Sequence, residues 1–463
     1  MNNKAESYVN DPRIRQAAVD GLIKLISYPS VSSSPEGKYP FGRPVGELLD
    51  HVLSEAEKKG FEAENHDYYC GSLLLKGKGD KEIGILSHLD VVPAGNGWSF
   101  EPFKGIFDGN VIIGRGACDN KDAAVAAMLA MNFFKENNIE LPFTVRLILG
   151  CSEETGMGDL PHFLESRPAP DFTFTPDSTY PVCVGEKGIA ALEFTIGKAD
   201  GGLISVNGGT VSNAVADLAE AVIAKTDLPE LPEGIEAVTE GDTLRIVAHG
   251  TSAHASRPEG SVNAITKLAA FIVENGLIDK ASSSFKALEA LLELFKDNYG
   301  SGLGIAADSE VFGRLTCVGG VIRTEEDGSI VQNCNIRYPA EMKFPAILDA
   351  INDSLRPYGS EAMVIEQSEG YYSSPDKPQV RALTDACSAV LDIDTTPYVM
   401  GGGTYSRHFP NAVTFGMGIP GQPDYFGPGK GTPHQRDEYT PLDSLMKSVK
   451  IFILALDNLA KLY

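Results

Sequence analysis

The chain has 463 residues, 43% hydrophobic and 22% charged, with a formal net charge of −24 and a sequence pI near 4.7. A polyanion of this kind gains nothing from a phosphate backbone, which argues against a nucleic-acid partner, and no apolar run approaches the length that crosses a membrane. Seven cysteines, an odd number with no C-x-x-C pair, make no disulfide framework and fit a reducing compartment, so a cytoplasmic chain of two or three domains is expected.

Apolar residues at helical spacing predict helices over 12–28 (Ile14, Ala18, Leu22, Leu25) and 44–59 (Leu48, Val52, Ala56), joined by a Pro/Ser loop. Strands follow at 72–76 and 82–87. The second ends in His88-Leu89-Asp90, which brings an imidazole and a carboxylate to one strand end. A short apolar run, Val111-Ile112-Ile113, leads through Gly114-Arg115-Gly116 to Asp119 and a helix over 123–135. The buried strand 144–149 runs into Ser152-Glu153-Glu154, a short helix covers 160–164, and strand 172–175 ends at Pro176-Asp177. Strand and helix alternate throughout, as in an α/β layer with a largely parallel sheet and helices on both faces.

From about 187 the texture changes to α+β. Strand 190–196 is followed by a predicted helix over 213–224, strand 244–248 and helix 262–274. A helix over 285–295, a strand pair (315–323, 331–338) and helix 346–355 complete this region. Two of the helices open alike, at Asn213-Ala214 and Asn263-Ala264, a hint of internal duplication. After a polar linker come helix 380–391, the Gly401-Gly402-Gly403 turn, strand 412–415, a Pro/Gly loop with His434, and an apolar helix over 442–459. The expected organisation is a discontinuous catalytic domain, 1–186 and 379–463, interrupted by an inserted α+β lid domain at 187–378.

His88, Asp90, Asp119, Glu153, Glu154, Asp177 and His434 all lie at or just beyond strand ends or in the following loop, and a parallel sheet gathers such ends into one crevice. Two imidazoles and several carboxylates without a cysteine suit Zn²⁺ or Mn²⁺. The surplus of carboxylates suggests two divalent ions sharing a bridging group. Adjacent Glu153 and Glu154 can split their roles, one ligating and the other taking a proton.

These residues carry a resemblance. The chain is similar to the di-zinc peptidase and deacylase family of carboxypeptidase G2 and succinyl-diaminopimelate desuccinylase, and most similar to its bacterial dipeptidase V branch. The matching stretches are Ser87-His-Leu-Asp-Val-Val-Pro93, Gly114-Arg-Gly-Ala-Cys-Asp119-Asn-Lys121, Ser152-Glu-Glu-Thr155 and Thr175-Pro-Asp-Ser-Thr-Tyr-Pro181. Others are Gly250-Thr-Ser-Ala-His254-Ala-Ser-Arg-Pro258, Gly401-Gly-Gly-Thr-Tyr-Ser406 and Pro433-His434. They occur in the family's order over most of the chain. The resemblance implies one metal on His88 and Asp177, the other on Glu154 and His434, with Asp119 bridging them through a cis Asp119–Asn120 peptide. It implies that Asp90 hydrogen-bonds the ring of His88, that Glu153 is the general base, and that His254 stabilises the oxyanion. Arg337, Asn213 and the glycine loop, with Gly402 and Gly403, would hold the substrate carboxylate.

The expectation is a cytoplasmic di-metal dipeptidase acting as a monomer on a small-molecule or dipeptide substrate. An N-acyl-amino-acid deacylase with the same metal chemistry is the nearest alternative. A metal-binding protein without catalysis fits poorly with Glu153 and His254 both present. An oxidoreductase is disfavoured because Gly114-Arg115-Gly116 lacks the full dinucleotide fingerprint.

Overall fold

A computed structural model describes residues 1–463, which divide into two compact units. Unit 1 comprises residues 1–184, 373–398 and 404–463; unit 2 comprises 185–372 with 399–403. The glycine turn at 401–403 therefore belongs to the inserted unit rather than to the C-terminal segment expected to hold it.

The sheet of unit 1 runs, in spatial order, through Glu62–His66, Cys70–Leu75, Thr144–Gly150, Glu82–His88, Phe172–Thr175, Ala412–Phe415 and Val182–Glu186. The four consecutive strands from Thr144–Gly150 to Ala412–Phe415 are parallel, and the flanking pairings are antiparallel. The central strands read as unbroken apolar runs because both faces are covered. Leu86, Ile148 and Cys70 pack with Leu160, Phe163 and Tyr405 on one face. On the other lie helices Lys121–Glu136 and Leu442–Leu459, which pack on each other and are buried along most of their length, the second wholly apolar over 451–456. Helix Pro12–Ile26 starts as its sequence dictates, with Pro at N1 and the Asp11 carboxylate accepting the Arg13 amide at 2.8 Å. The run Val111–Ile113 is a strand, but of a separate small sheet with Ile106–Phe107 and Tyr439–Pro441.

Unit 2 is built on an antiparallel sheet ordered Ile235–Glu240, Thr243–His249, Leu218–Ala224, Leu203–Gly208, Ile322–Thr324, Ser329–Tyr338, Gly188–Lys198 and Met363–Ser368. Helices Ala264–Glu274, Ser283–Leu294 and Phe344–Leu355 close its core. One predicted element is wrong. Residues 213–224 were expected to be helical, yet Leu218–Ala224 is a strand bonded on both edges. Its alanine-rich sequence favours a helix locally. Burial of Ala219, Ala221 and Ile223, alternate residues on one sheet face, overrides that propensity. Asn263 does cap a helix, its side chain accepting the Ile265 amide at 2.9 Å, whereas Asn213 opens none. The paired helix starts that hinted at duplication are therefore absent.

Candidate metal centre and substrate-binding residues

The parallel strands of unit 1 end side by side, and the polar residues that follow each apolar run converge there. His88 closes its strand with its ring buried. Its Nδ1 donates to the main-chain oxygen of Asp90 at 2.9 Å, which turns Nε2 toward the centre. Nε2 lies 3.1 Å from Asp119 Oδ1 and 3.9 Å from Asp177 Oδ2. The second oxygen of Asp119, Oδ2, is 3.2 Å from His434 Nε2, and that nitrogen is 3.1 Å from Glu154 Oε2. Asp119 thus stands between two imidazoles, each accompanied by a further carboxylate. The Asp119–Asn120 peptide is cis.

This donor set fits a pair of divalent cations. It holds nitrogen and oxygen ligands only, and its central carboxylate offers one oxygen to each side. The ligand atoms of His88, Asp119 and Glu154 lie within 4.8 Å of one another, as do those of His88, Glu153 and Asp177. The electrostatics point the same way. Burial raises the Asp119 carboxyl, but hydrogen bonds from His434 and His88, with their charge, outweigh it and hold the group well below the carboxylate range. His434 is pushed up to about 10, chiefly by its hydrogen bonds to Asp119 and Glu154. The pocket demands positive charge.

Glu153 and Glu154 form a short 3₁₀ turn just beyond strand Thr144–Gly150. The Asp90 carboxylate accepts both of their amides, Glu153 N–H on Oδ1 and Glu154 N–H on Oδ2, each at 3.1 Å. It stands 3.5 Å from His88 Nδ1, too far for a good hydrogen bond. The expected contact of the Asp90 side chain with the His88 ring is thus made by its main chain, while the carboxylate fixes the Glu153–Glu154 turn. Burial, then the charge of Asp177, pushes the Glu153 carboxyl well above its ordinary range. Asn120, buried, ties the ligands together: its Nδ2 donates to Pro176 O at 2.6 Å, and its Oδ1 accepts from Ser87 Oγ at 2.6 Å.

Unit 2 gathers a second set. Cys334, Ile336 and Tyr338 of one strand enter the helix-covered core, so the alternate residues Asn335 and Arg337 face the other way. Arg337 donates from Nε to Asn335 Oδ1 at 3.0 Å and from Nη1 to Gly401 O at 3.2 Å, which fixes the guanidinium plane. Gly401 must lack a side chain, because a Cβ there meets that of Ser256 at 2.7 Å. Ser256 in turn addresses His254: its amide donates to Nδ1 at 3.1 Å and its hydroxyl lies 2.7 Å from the same atom. Nδ1 therefore carries no proton. Burial and the charges of Arg337 and Arg257 lower the His254 pKa, so the ring is neutral with its proton on Nε2. Asn213 is exposed, and its main-chain oxygen accepts the Ala255 amide at 2.8 Å beside His254. Gly402 and Gly403 continue the loop from Gly401.

Sequence reasoning missed several positioning groups. Asn120 and Arg115 sit inside stretches already singled out, and their fixed distance from Asp119 was the available signal. Ser256, two residues after His254, carried a similar one. Asp159 and Glu438 lie outside those stretches, and the side chains they pair with, Tyr405 and Arg115, are 246 and 323 residues away.

Known proteins resemble this chain in sequence and in fold. The sequence matches the profile described as Peptidase family M20/M25/M40 over residues 84–458. The Bacillus subtilis protein named "Putative dipeptidase YtjP" is 31% identical over 95% of this chain and 96% of its own. A Staphylococcus aureus relative with the same description is 28% identical over 95% of both chains. Among solved structures, the dipeptidase Dug1p of Saccharomyces cerevisiae superposes with a TM-score of 0.62 at 13% identity, covering 100% of this chain and 99% of that one. Human carnosine dipeptidase 1 does so with a TM-score of 0.59 at 15% identity, covering 100% of both. At these identities the likeness is one of fold. Sequence and fold together lead to one assignment: the chain belongs to peptidase family M20/M25/M40.

Proposed function

We propose that this chain is a di-metal dipeptidase of the cytoplasm, active as a monomer. One observation carries the reading: the Asp119 carboxylate lies between His88 and His434, 3.1 and 3.2 Å from their Nε2 atoms, and each imidazole has its own acidic neighbour. Two divalent cations, zinc or manganese, held by His88, Asp177, Asp119, Glu154 and His434, supply when bound the Lewis acidity that activates water and polarises a carbonyl. The remaining work falls to side chains. Glu153, whose carboxyl is raised by burial and the charge of Asp177, takes a proton from the attacking water and returns it to the leaving amine nitrogen. His254 offers its Nε2–H to the developing oxyanion, where a preformed donor counts most. Arg337, with Asn213 and the Gly402–Gly403 backbone, binds the free carboxylate that limits substrates to short peptides. The names of the relatives support a dipeptide substrate, and seven free cysteines support a reducing compartment.

The test is turnover by metal-stripped protein, with and without added Zn²⁺ or Mn²⁺, of a panel of dipeptides, tripeptides and N-acyl amino acids read by mass spectrometry. Metal-dependent cleavage confined to dipeptides is expected. Cleavage by the stripped protein overturns the metal assignment, and preference for N-acyl amino acids overturns the substrate assignment.

A further inference from the structure

His434 is an unusual place for a metal ligand. Its ring is 56% exposed, its backbone is left-handed at φ 65°, and it follows a loop in which Gly421, Gly427, Gly429 and Gly431 all have positive φ. Packing does little to hold such a segment, and an unrestrained ligand loses affinity to its own conformational freedom. The Asp437 carboxylate anchors the segment by accepting the Ser99 amide at 2.6 Å and hydroxyl at 2.8 Å, but one other side chain reaches the main chain of His434 itself. The buried Arg115 donates from Nη2 to the carbonyl oxygens of Pro93 at 3.3 Å, Ala94 at 3.2 Å and His434 itself at 3.3 Å. From Nη1 it donates to Gln435 O at 3.2 Å and to Glu438 Oε2 at 2.5 Å. Its guanidinium lies 5.1 Å from the Trp98 ring centroid. Glu438, fully buried, uses its other oxygen to accept the Cys118 amide at 2.9 Å, and its main-chain oxygen accepts the Gly114 amide at 2.9 Å.

Three segments meet on this pair. One follows Asp90, one leads into Asp119, and the third carries His434. A buried ion pair is a poor route to stability, since a well-packed apolar pair of the same volume does as well or better. What an apolar pair cannot do is donate hydrogen bonds to four main-chain carbonyls at once, which the guanidinium fork does. We propose that Arg115 and Glu438 form a latch that positions His434 against Asp119, so that the site formed by His434 and Glu154 depends on it while the site formed by His88 and Asp177 does not. The inference rests on the di-metal reading above and names positioning residues, not catalytic ones.

The test uses full-length wild type, Arg115→Lys, Glu438→Gln and the milder Trp98→Leu, which keeps the ion pair and removes only the ring beside it. Zinc is titrated calorimetrically into each metal-stripped protein, with His434→Ala identifying the isotherm of its own site. Loss of such a supporting partner typically costs about 10–100-fold in metal affinity, so Kd for the His434 site should rise by that factor in Arg115→Lys and Glu438→Gln, and the other Kd should stay put. Amide exchange of the metal-free proteins should quicken over residues 428–438 and not over 144–150. Wild-type affinities at both sites overturn the latch, and so does equal weakening of both. If Arg115→Lys does not fold, the isosteric Glu438→Gln decides: a selective weakening at the His434 site supports the latch, and an unchanged Kd overturns it. Wild type that binds no zinc, with exchange still faster in the variants, overturns the di-metal reading and leaves the positioning of the loop standing.

Discussion

Glu153 and Glu154 are neighbours with opposite surroundings. Glu154 faces the His434 imidazole at 3.1 Å, whereas burial and Asp177 drive the Glu153 carboxyl toward its protonated form. Glu153→Ala should abolish turnover and leave metal content near wild type. Glu154→Ala should lower metal content, read by elemental analysis of dialysed protein. The reverse pattern would exchange the two roles. His254 calls for a different signature. Its Nδ1 is occupied by Ser256, so only Nε2–H can serve an oxyanion, and loss of one such donor typically costs about 10²–10³ in rate. His254→Ala should lower kcat by that order with metals retained; a loss of metal instead would place the residue among the ligands.

At the level of elements, the junction between strand Thr144–Gly150 and helix Asp159–Ser166 is held by one buried carboxylate. Asp159 Oδ2 accepts the amides of Cys151 at 2.7 Å and Ser152 at 3.1 Å and the Tyr405 hydroxyl at 2.5 Å, while Oδ1 has no partner. Burial raises its pKa from an ordinary 3.8 to about 6. The folded state therefore holds this proton more tightly than the unfolded chain, and the stability Asp159 contributes is full below pH 4 and lost as pH rises to about 6. A shift of this size corresponds to about 3 kcal/mol. Asp159→Asn cannot ionise, so its stability relative to wild type should climb between pH 4 and 7 in denaturant titrations. A constant difference would mean that Asp159 does not titrate in this window. The same junction shows what could be read from sequence. Of the proposed metal ligands, His88, Glu154 and Asp177 were legible because each follows an apolar run closely, whereas Asp119 stands beyond a glycine turn and His434 lies in a Pro/Gly loop far from the end of the strand before it. The Asp159–Tyr405 and Arg115–Glu438 pairs were not, because they join positions 246 and 323 residues apart with no local pattern to mark them. Strand Leu218–Ala224 was misread for the opposite reason. Its local signal was clear and helical, and partners on both edges outvoted it.

For the whole molecule, Glu153, the proposed proton-transfer group, lies in unit 1, and His254, the proposed oxyanion donor, lies in unit 2. If one chain supplies both, mixing His254→Ala with Glu153→Ala protein should give no more activity than the two separately. Recovery toward about a quarter of wild type on mixing, one intact site in each dimer of unlike chains, would show that the donor is exchanged between subunits, and the monomer proposal would fail.

The discontinuity of unit 1 has a consequence for biosynthesis. Strand Ala412–Phe415 occupies an interior slot of the sheet, bonded to Phe172–Thr175 on one side and to Val182–Glu186 on the other. Translation delivers those two neighbours first, and roughly 230 residues later the strand that joins them. At ribosomal speeds that is about 10–50 s in which a nascent chain carries two unsatisfied strand edges, both apolar and both competent to recruit a foreign strand. The inserted unit must fold inside this interval without sealing the gap. A chaperone that shields sheet edges should therefore raise the yield of this protein more than that of a relative whose sheet is completed in chain order.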